Sequence, residues 1–166
     1  MGFDKARLEV GGVAQAARIA GVAGALAGRV VEVGGSSAGV ERVADTGEGP
    51  HNAILLAVRE LGLPRGELVV VLPVDLYALE ASGLSWLVRE VYRYPGLVMG
   101  SDRPNYAVFG AAAGYLARDP RPRSLREMAG GLRRLVPPAG LADQFSDADT
   151  RDELDRIVRR NQAGAS

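Results

Sequence analysis

The chain has 166 residues, 20 acidic and 20 basic side chains, a single histidine (His51) and no cysteine. Disulfides, thiolate metal sites and cysteine nucleophiles are excluded, as is a metal site built on several histidines. A balanced charge with no basic tract gives nucleic-acid binding no counterion-release drive. No apolar run reaches the roughly 18 residues that suggest a membrane span.

The length and 47% apolar content suit one domain with a sizeable core over residues 1–166. No secretory leader pattern is visible, so a cytoplasmic location is expected. Ala14–Leu26 carries apolar residues at helical spacing and reads as a helix packed on a sheet. Arg29–Val33 is a β-branched run closed by Gly34 and Gly35, and reads as a strand. Val40–Ala44 reads as a second short strand. Gly47–Pro50 signals a turn, and Pro50 suits the first turn of a helix that Gly62 and Pro64 end near Leu61.

Glu67–Leu72 is the strongest strand, a continuous apolar run of the kind covered on both faces. Leu84–Tyr94 reads as an amphipathic helix, and Leu97–Met99 and Tyr106–Phe109 as short strands. Ala111–Ala117 and Ser124–Leu135 read as helices, with Ser124 and Glu127 spaced as a capping box. A last helix is expected over about Arg151–Arg160, then a frayed tail at 161–166. Strands alternating with helices imply a three-layer αβα, Rossmann-like domain with a mostly parallel, mixed sheet.

In open α/β sheets, ligands bind outside the carboxyl ends of the strands. Asp75 follows the strongest strand. It can hold a divalent cation against phosphate oxygens, or cap the following turn. Asp45 follows the Val40–Ala44 strand and leads into Gly47–Pro50, where backbone N–H groups can face an anion or simply close a turn. Near the C-terminus, Asp149 or Thr150 is a natural helix cap, which leaves Asp147 open to function. Of the 20 basic residues, 19 are Arg and only Lys5 is Lys. A site that needs a compact ammonium would resist such a bias.

These segments together resemble the molybdenum cofactor guanylyltransferase family of nucleotidyltransferases. Met1, Gly2, Asp4 and Lys5 match the end of its loop L-A-G-G-x-S-x-R-M-G-x-D-K. Asp45 with Gly47–Pro50 resembles its D-x-x-x-x-G-P-L segment, Leu72–Asp75 its L-P-C-D, and Phe145–Leu154 its F-x-N-x-N-T-P-x-D-L. The resemblance implies a Mg²⁺-dependent enzyme that transfers GMP from GTP to molybdopterin and releases pyrophosphate. Lys5 and Asp75 would be catalytic. Gly2, Lys5, Asp45, Gly49 and Pro50 would bind the nucleotide, and Asp75 and Asp149 the metal.

The departures are specific. Asp147 and Asp149 stand where the family has Asn, and an ionised aspartate cannot donate a hydrogen bond. Gly34 and Gly35 replace a frequent Asn, and Pro50–Ala53 replaces P-L-A-G. The family's first strand and most of its Gly-rich loop have no counterpart, so a fold lacking its first strand is expected. Three alternatives stay open: a cytidylyltransferase, a sugar-phosphate nucleotidyltransferase, and an inactive, partner-binding relative. So does self-association, because a missing central strand exposes sheet edges. No nucleic-acid or membrane partner is expected.

Overall fold

A computed structural model describes residues 9–10, 12–99, 104–118 and 121–146. A short antiparallel pair opens it, β1 (Glu9–Val10) with β2 (Val13–Ala14), followed at once by α1 (Gln15–Gly24). β3 (Val31–Val33) and β4 (Glu41–Val43) pair in parallel. Then come α2 (Pro50–Glu60), β5 (Leu68–Val71), α3 (Ala81–Arg93), β6 (Gly96–Met99) and β7 (Pro104–Ala112). Two short helices, α4 (Ala113–Leu116) and α5 (Leu125–Ala129), precede β8 (Arg133–Leu135) and a 3₁₀ helix at Ala139–Phe145.

The larger sheet has the order β5-β7-β6-β8. β7 runs antiparallel to both β5 and β6, and β6 is parallel to β8. Three strands therefore share one direction and β7 opposes them, giving the expected mixed sheet. Its two faces are read from the period of two along each strand. Leu68 and Val70 of β5, Val98 of β6 and Val108 of β7 enter one core with Ile19 of α1 and Leu87 of α3. Val69, Val71, Leu97 and Phe109 enter the other, with Val58 of α2 and Met128 of α5. Helices cover both faces, so the three-layer reading holds, and Glu67–Leu72 is covered on both faces as its composition requires.

The sheet is in two pieces. β3 and β4 form their own pair, and among the described strands β5 is paired only with β7. α2 packs against β3 and β4, and also joins the core under Val69 and Val71, so one helix bridges the two pieces. The Ala113 N–H donates to the Glu67 carbonyl at 2.8 Å. In the register Val69↔Ala111, this makes Glu67, Val69 and Val71 the residues whose backbone groups face β7. Those of Leu68 and Val70 face the other edge.

Several sequence expectations need correction. β7 runs through Ala111 and Ala112, which read as the start of a helix. The ladder to Leu68 and Val69 holds these residues extended against their propensity. The expected helix Ser124–Leu135 is only five residues long, and Arg133–Leu135 is a strand because it pairs with Gly96–Val98. The cap itself is present: Ser124 Oγ accepts the Glu127 N–H at 3.1 Å, and Glu127 Oε2 accepts the Arg123 N–H at 2.8 Å. α3 starts at Ala81, three residues earlier than expected. The expected helix Arg151–Arg160 lies outside the described residues.

Candidate functional site

Asp45 follows β4 and is exposed. Its Oδ1 accepts the Gly47 N–H at 2.9 Å, which closes an Asx turn. Gly34, at the end of β3, takes φ +78°, and a Cβ there would lie 3.0 Å from the Asp45 Cβ. The ends of the two parallel strands are therefore joined at Gly34 and Asp45, with the Gly34 N–H donating to the Val43 carbonyl at 3.0 Å. Gly47 (φ +77°) and Gly49 (φ +97°) then carry the chain into α2 through backbone that a side chain would strain. Pro50 occupies the first turn of α2, which has no side-chain cap and no acid there.

The sequence did not single out Glu32, yet it is the buried carboxylate of this corner. It accepts the N–H groups of Ser37 and Ala38 at 3.1 and 3.0 Å and so folds the loop after β3 back on the strand. Gly35 is needed because a Cβ would collide with the Glu32 carboxylate. Nearby, Arg29 donates to both oxygens of Glu41. That hydrogen bond holds the Glu41 carboxyl below its usual range and raises Arg29, at an exposed site.

Asp75 is half-buried at the start of the turn after β5. Its carbonyl accepts the Tyr77 N–H at 3.0 Å, and the Leu76 carbonyl accepts the Leu79 N–H at 3.2 Å. Leu76, Tyr77 and Leu79 are almost wholly buried and anchor the turn from below. From α1, Arg18 grips it: Nη2 donates to the Leu76 carbonyl at 2.6 Å and Nη1 to the Leu79 carbonyl at 2.7 Å. Arg18 Nε is used by Gln15 Oε1 at 2.8 Å. Burial pulls the Arg18 guanidinium below its ordinary range, and the nearby Glu80 charge pushes back. An arginine that spends a donor from each of its three nitrogens on protein oxygens acts here as a structural clamp. A lone Arg on the apolar side of an Ala-rich helix was the signal that sequence reasoning passed over. Gln15 Nε2 is a buried donor that finds no partner among the described residues.

The structure thus places Asp45, Gly49 and Pro50 together in one corner, and Asp75 in its own clamped turn after the strongest strand. Gly2, Lys5 and Asp149 lie outside the described residues. Among the described residues, no three acids or histidines gather to hold a metal ion. Mg²⁺ does not need such a cage, since it usually binds through one or two carboxylates plus substrate phosphates and water. A half-exposed Asp75 on a fixed turn fits that donor set. A cavity of about 270 Å³ lies elsewhere, between Val58, Arg59, Arg65 and Gly114. It sits at the end of α2 opposite Pro50 and is lined by no acid.

A three-layer α/β domain with acids just beyond its strand ends is of the α/β class that binds ligands at that rim. The family comparison makes this particular. The MobA-like NTP transferase domain model matches residues 1–143, and the chain belongs to that family. It is a nucleotidyltransferase domain. Two solved structures share the fold. One is the molybdopterin-guanine dinucleotide biosynthesis protein A of Archaeoglobus fulgidus (TM-score 0.70, 16% identity, covering 98% of this chain and 92% of that one). The other is the Aq1419 protein of Aquifex aeolicus VF5 (TM-score 0.65, 14% identity, covering 82% and 79%). No curated protein matches the chain. None of the described helices is long and apolar enough to cross a membrane.

Proposed function

We propose that the chain transfers GMP from GTP to molybdopterin, with Mg²⁺, and releases pyrophosphate. The observation that carries this reading is Asp75 on a turn fixed by Arg18, directly beyond the strand the sequence marks as strongest. An acceptor phosphate oxygen attacks the α-phosphorus of GTP. A new P–O bond forms as the bond to the bridging oxygen breaks, and the electron pair leaves with pyrophosphate. Bound Mg²⁺ would supply charge neutralisation on the phosphate oxygens. Asp75 would hold that charge in place, and the Lys5 ammonium would add a second positive charge. Asp45 and the Gly49–Pro50 turn would line the base or ribose side, with Asp149 as a further oxygen ligand. Positioning and charge stabilisation do most of the work in such transfers.

The test is a thermal-shift panel of GTP, CTP and ATP, each with and without Mg²⁺, followed by pyrophosphate release with molybdopterin. A Mg²⁺-dependent rise in Tm with GTP is expected. A rise with CTP alone moves the assignment to a cytidylyltransferase. A second reading, an inactive partner-binding relative, is favoured by one feature: among the described strands the sheet is in two pieces, and β5 has no partner on the edge away from β7. No response to any nucleotide, with a well-behaved folded protein, selects it.

A further inference from the structure

The turn that carries Asp75 is held twice, by residues far from it in sequence and on opposite sides of it along the chain. Arg18 takes the carbonyls of Leu76 and Leu79 from the N-terminal side. From the C-terminal side, Gln144 Oε1 accepts the N–H groups of Glu80 and Gly83, each at 3.1 Å. Gln144 Nε2 donates to Ser82 Oγ at 3.1 Å. One amide side chain thereby caps the first turn of α3, which has no local side-chain cap. Gly83 leaves room for it, since a Cβ there would collide with Gln144. The next residue, Phe145, is fully buried with its ring 5.4 Å from that of Trp86 on α3, and its carbonyl accepts Asn105 Nδ2 at 3.1 Å. Ser146 follows, and then the segment bearing Asp147 and Asp149.

We propose that the Leu76–Gly83 stretch is a hub to which α1 and the 3₁₀ helix are both fastened, and that Arg18 and Gln144 are positioning residues for the transfer reaction. Packing alone does not ask for these two side chains. Ile19 already seats α1 in the core and Phe145 already seats the 3₁₀ helix. A buried guanidinium is costly where an apolar side chain would pack. What the polar pair adds is register. Arg18 fixes α1 against the carbonyls of the turn that carries Asp75, and Gln144 fixes the N–H groups at the far end of the same stretch. Sequence-distant groups reach one phosphate chain only if such joints hold them to a fraction of an ångström. This catalytic purpose rests on the nucleotidyltransfer reading above; the clamp itself does not.

The variants are Gln144→Ala, Gln144→Glu, Arg18→Met and the milder Arg18→Lys, each in the 166-residue protein. Glutamate keeps the oxygens that accept from Glu80 and Gly83, and can also accept from the Ser82 hydroxyl. Trp86 is the single tryptophan, so its emission reports the Phe145 contact without any nucleotide. Gln144→Ala is expected to raise acrylamide quenching of Trp86, and Gln144→Glu to restore it. The second readout is the Mg²⁺ concentration giving half of the GTP-dependent rise in Tm. It is expected to increase roughly 10- to 100-fold in Gln144→Ala and Arg18→Met, as for other groups that orient metal ligands. Glutamate at position 144 should bring it back. Unchanged Trp86 quenching in Gln144→Ala overturns the clamp. Altered quenching with an unchanged Mg²⁺ midpoint overturns the positioning role and leaves a merely structural cap. If the unaltered protein shows no response to GTP and Mg²⁺, the transfer reading fails and the positioning role with it, while Trp86 quenching still decides the clamp.

Discussion

Gly110 lies in β7, with β5 on one side through Val70 and β6 on the other through Gly96. A Cβ at this position would stand 2.7 Å from both Cβ and Cγ1 of Val91 and 2.8 Å from its Cγ2. Val91 is 2% exposed on α3. A valine on a helix has essentially one χ1 rotamer, so it cannot swing aside, and α3 must lift from the sheet. Overpacking of this kind costs roughly 1–3 kcal/mol, and three contacts below 3.0 Å place Gly110→Ala near the upper end. Loss of glycine's unfolded-state freedom returns about 0.4–1 kcal/mol. The net loss is about 2 kcal/mol, which in a chain of this length lowers Tm by roughly 4–8 °C. Calorimetry on the purified variant measures it. Val91→Ala removes the Cγ1 and Cγ2 contacts and leaves the one with Cβ, so it should relieve the clash in part, and the double variant should be less destabilised than the sum of the singles. A Gly110→Ala Tm within about 1 °C of the parent, or strictly additive singles, would refute this account of the α3–β7 contact.

Ser124→Ala should cost about 1 kcal/mol by denaturant titration, because the Glu127 N–H loses its acceptor at the start of α5. Asp75→Asn should abolish the Mg²⁺-dependent part of any GTP-induced rise in Tm while leaving the nucleotide-free Tm little changed, as thermal shift can show. The Glu41 carboxyl is held low by Arg29, so its contribution exists above the unfolded carboxyl pKa and fades as pH falls through the folded one. Both side chains are exposed, so that contribution is too small to read: Glu41→Gln should leave the Tm at pH 7 unchanged within error, and salt should not alter that result. Hydrogen exchange should find the Val69 and Val71 amides slow and the Val70 amide fast, since only the first two face β7.

The elements legible in the sequence were those whose cause is local. The Val31–Val33 and Leu68–Val71 strands follow from β-branched runs, α2 from its proline and its stop, and the Ser124 cap from three-residue spacing. The same holds for the Asp45 corner, where Gly47 and Gly49 announce backbone that only glycine takes freely. What was missed has a distant cause. Arg133–Leu135 has no strand pattern of its own, with Arg133 and Arg134 both exposed; pairing with β6 makes it a strand. The early start of α3 depends on Gln144, 61 residues beyond Gly83. Arg18 looks like one more polar interruption of a helix until its two carbonyl partners, 58 and 61 residues away, are known. Long-range hydrogen bonds leave little local trace in the sequence, and here they hold the turn that bears Asp75.

Among the described strands, β5 has no partner on the edge away from β7. Apolar area is only part of what it offers, since Leu68–Val71 are all partly buried. Leu68 and Val70 are packed towards α1 and α3, and Val69 and Val71 towards α2, so both faces are roofed by helices. What remains is the backbone of Leu68 and Val70, two N–H and two C=O groups in a row on an uncharged strand. Natural edges are usually blunted by lysine, proline or a bulge, and Leu68–Val71 has none of these. Water can satisfy such an edge, but another strand satisfies it better while also burying its own side chains under α1 and α2. The pull is therefore directional, towards an extended segment lying in the sheet plane, and not towards a generic greasy patch.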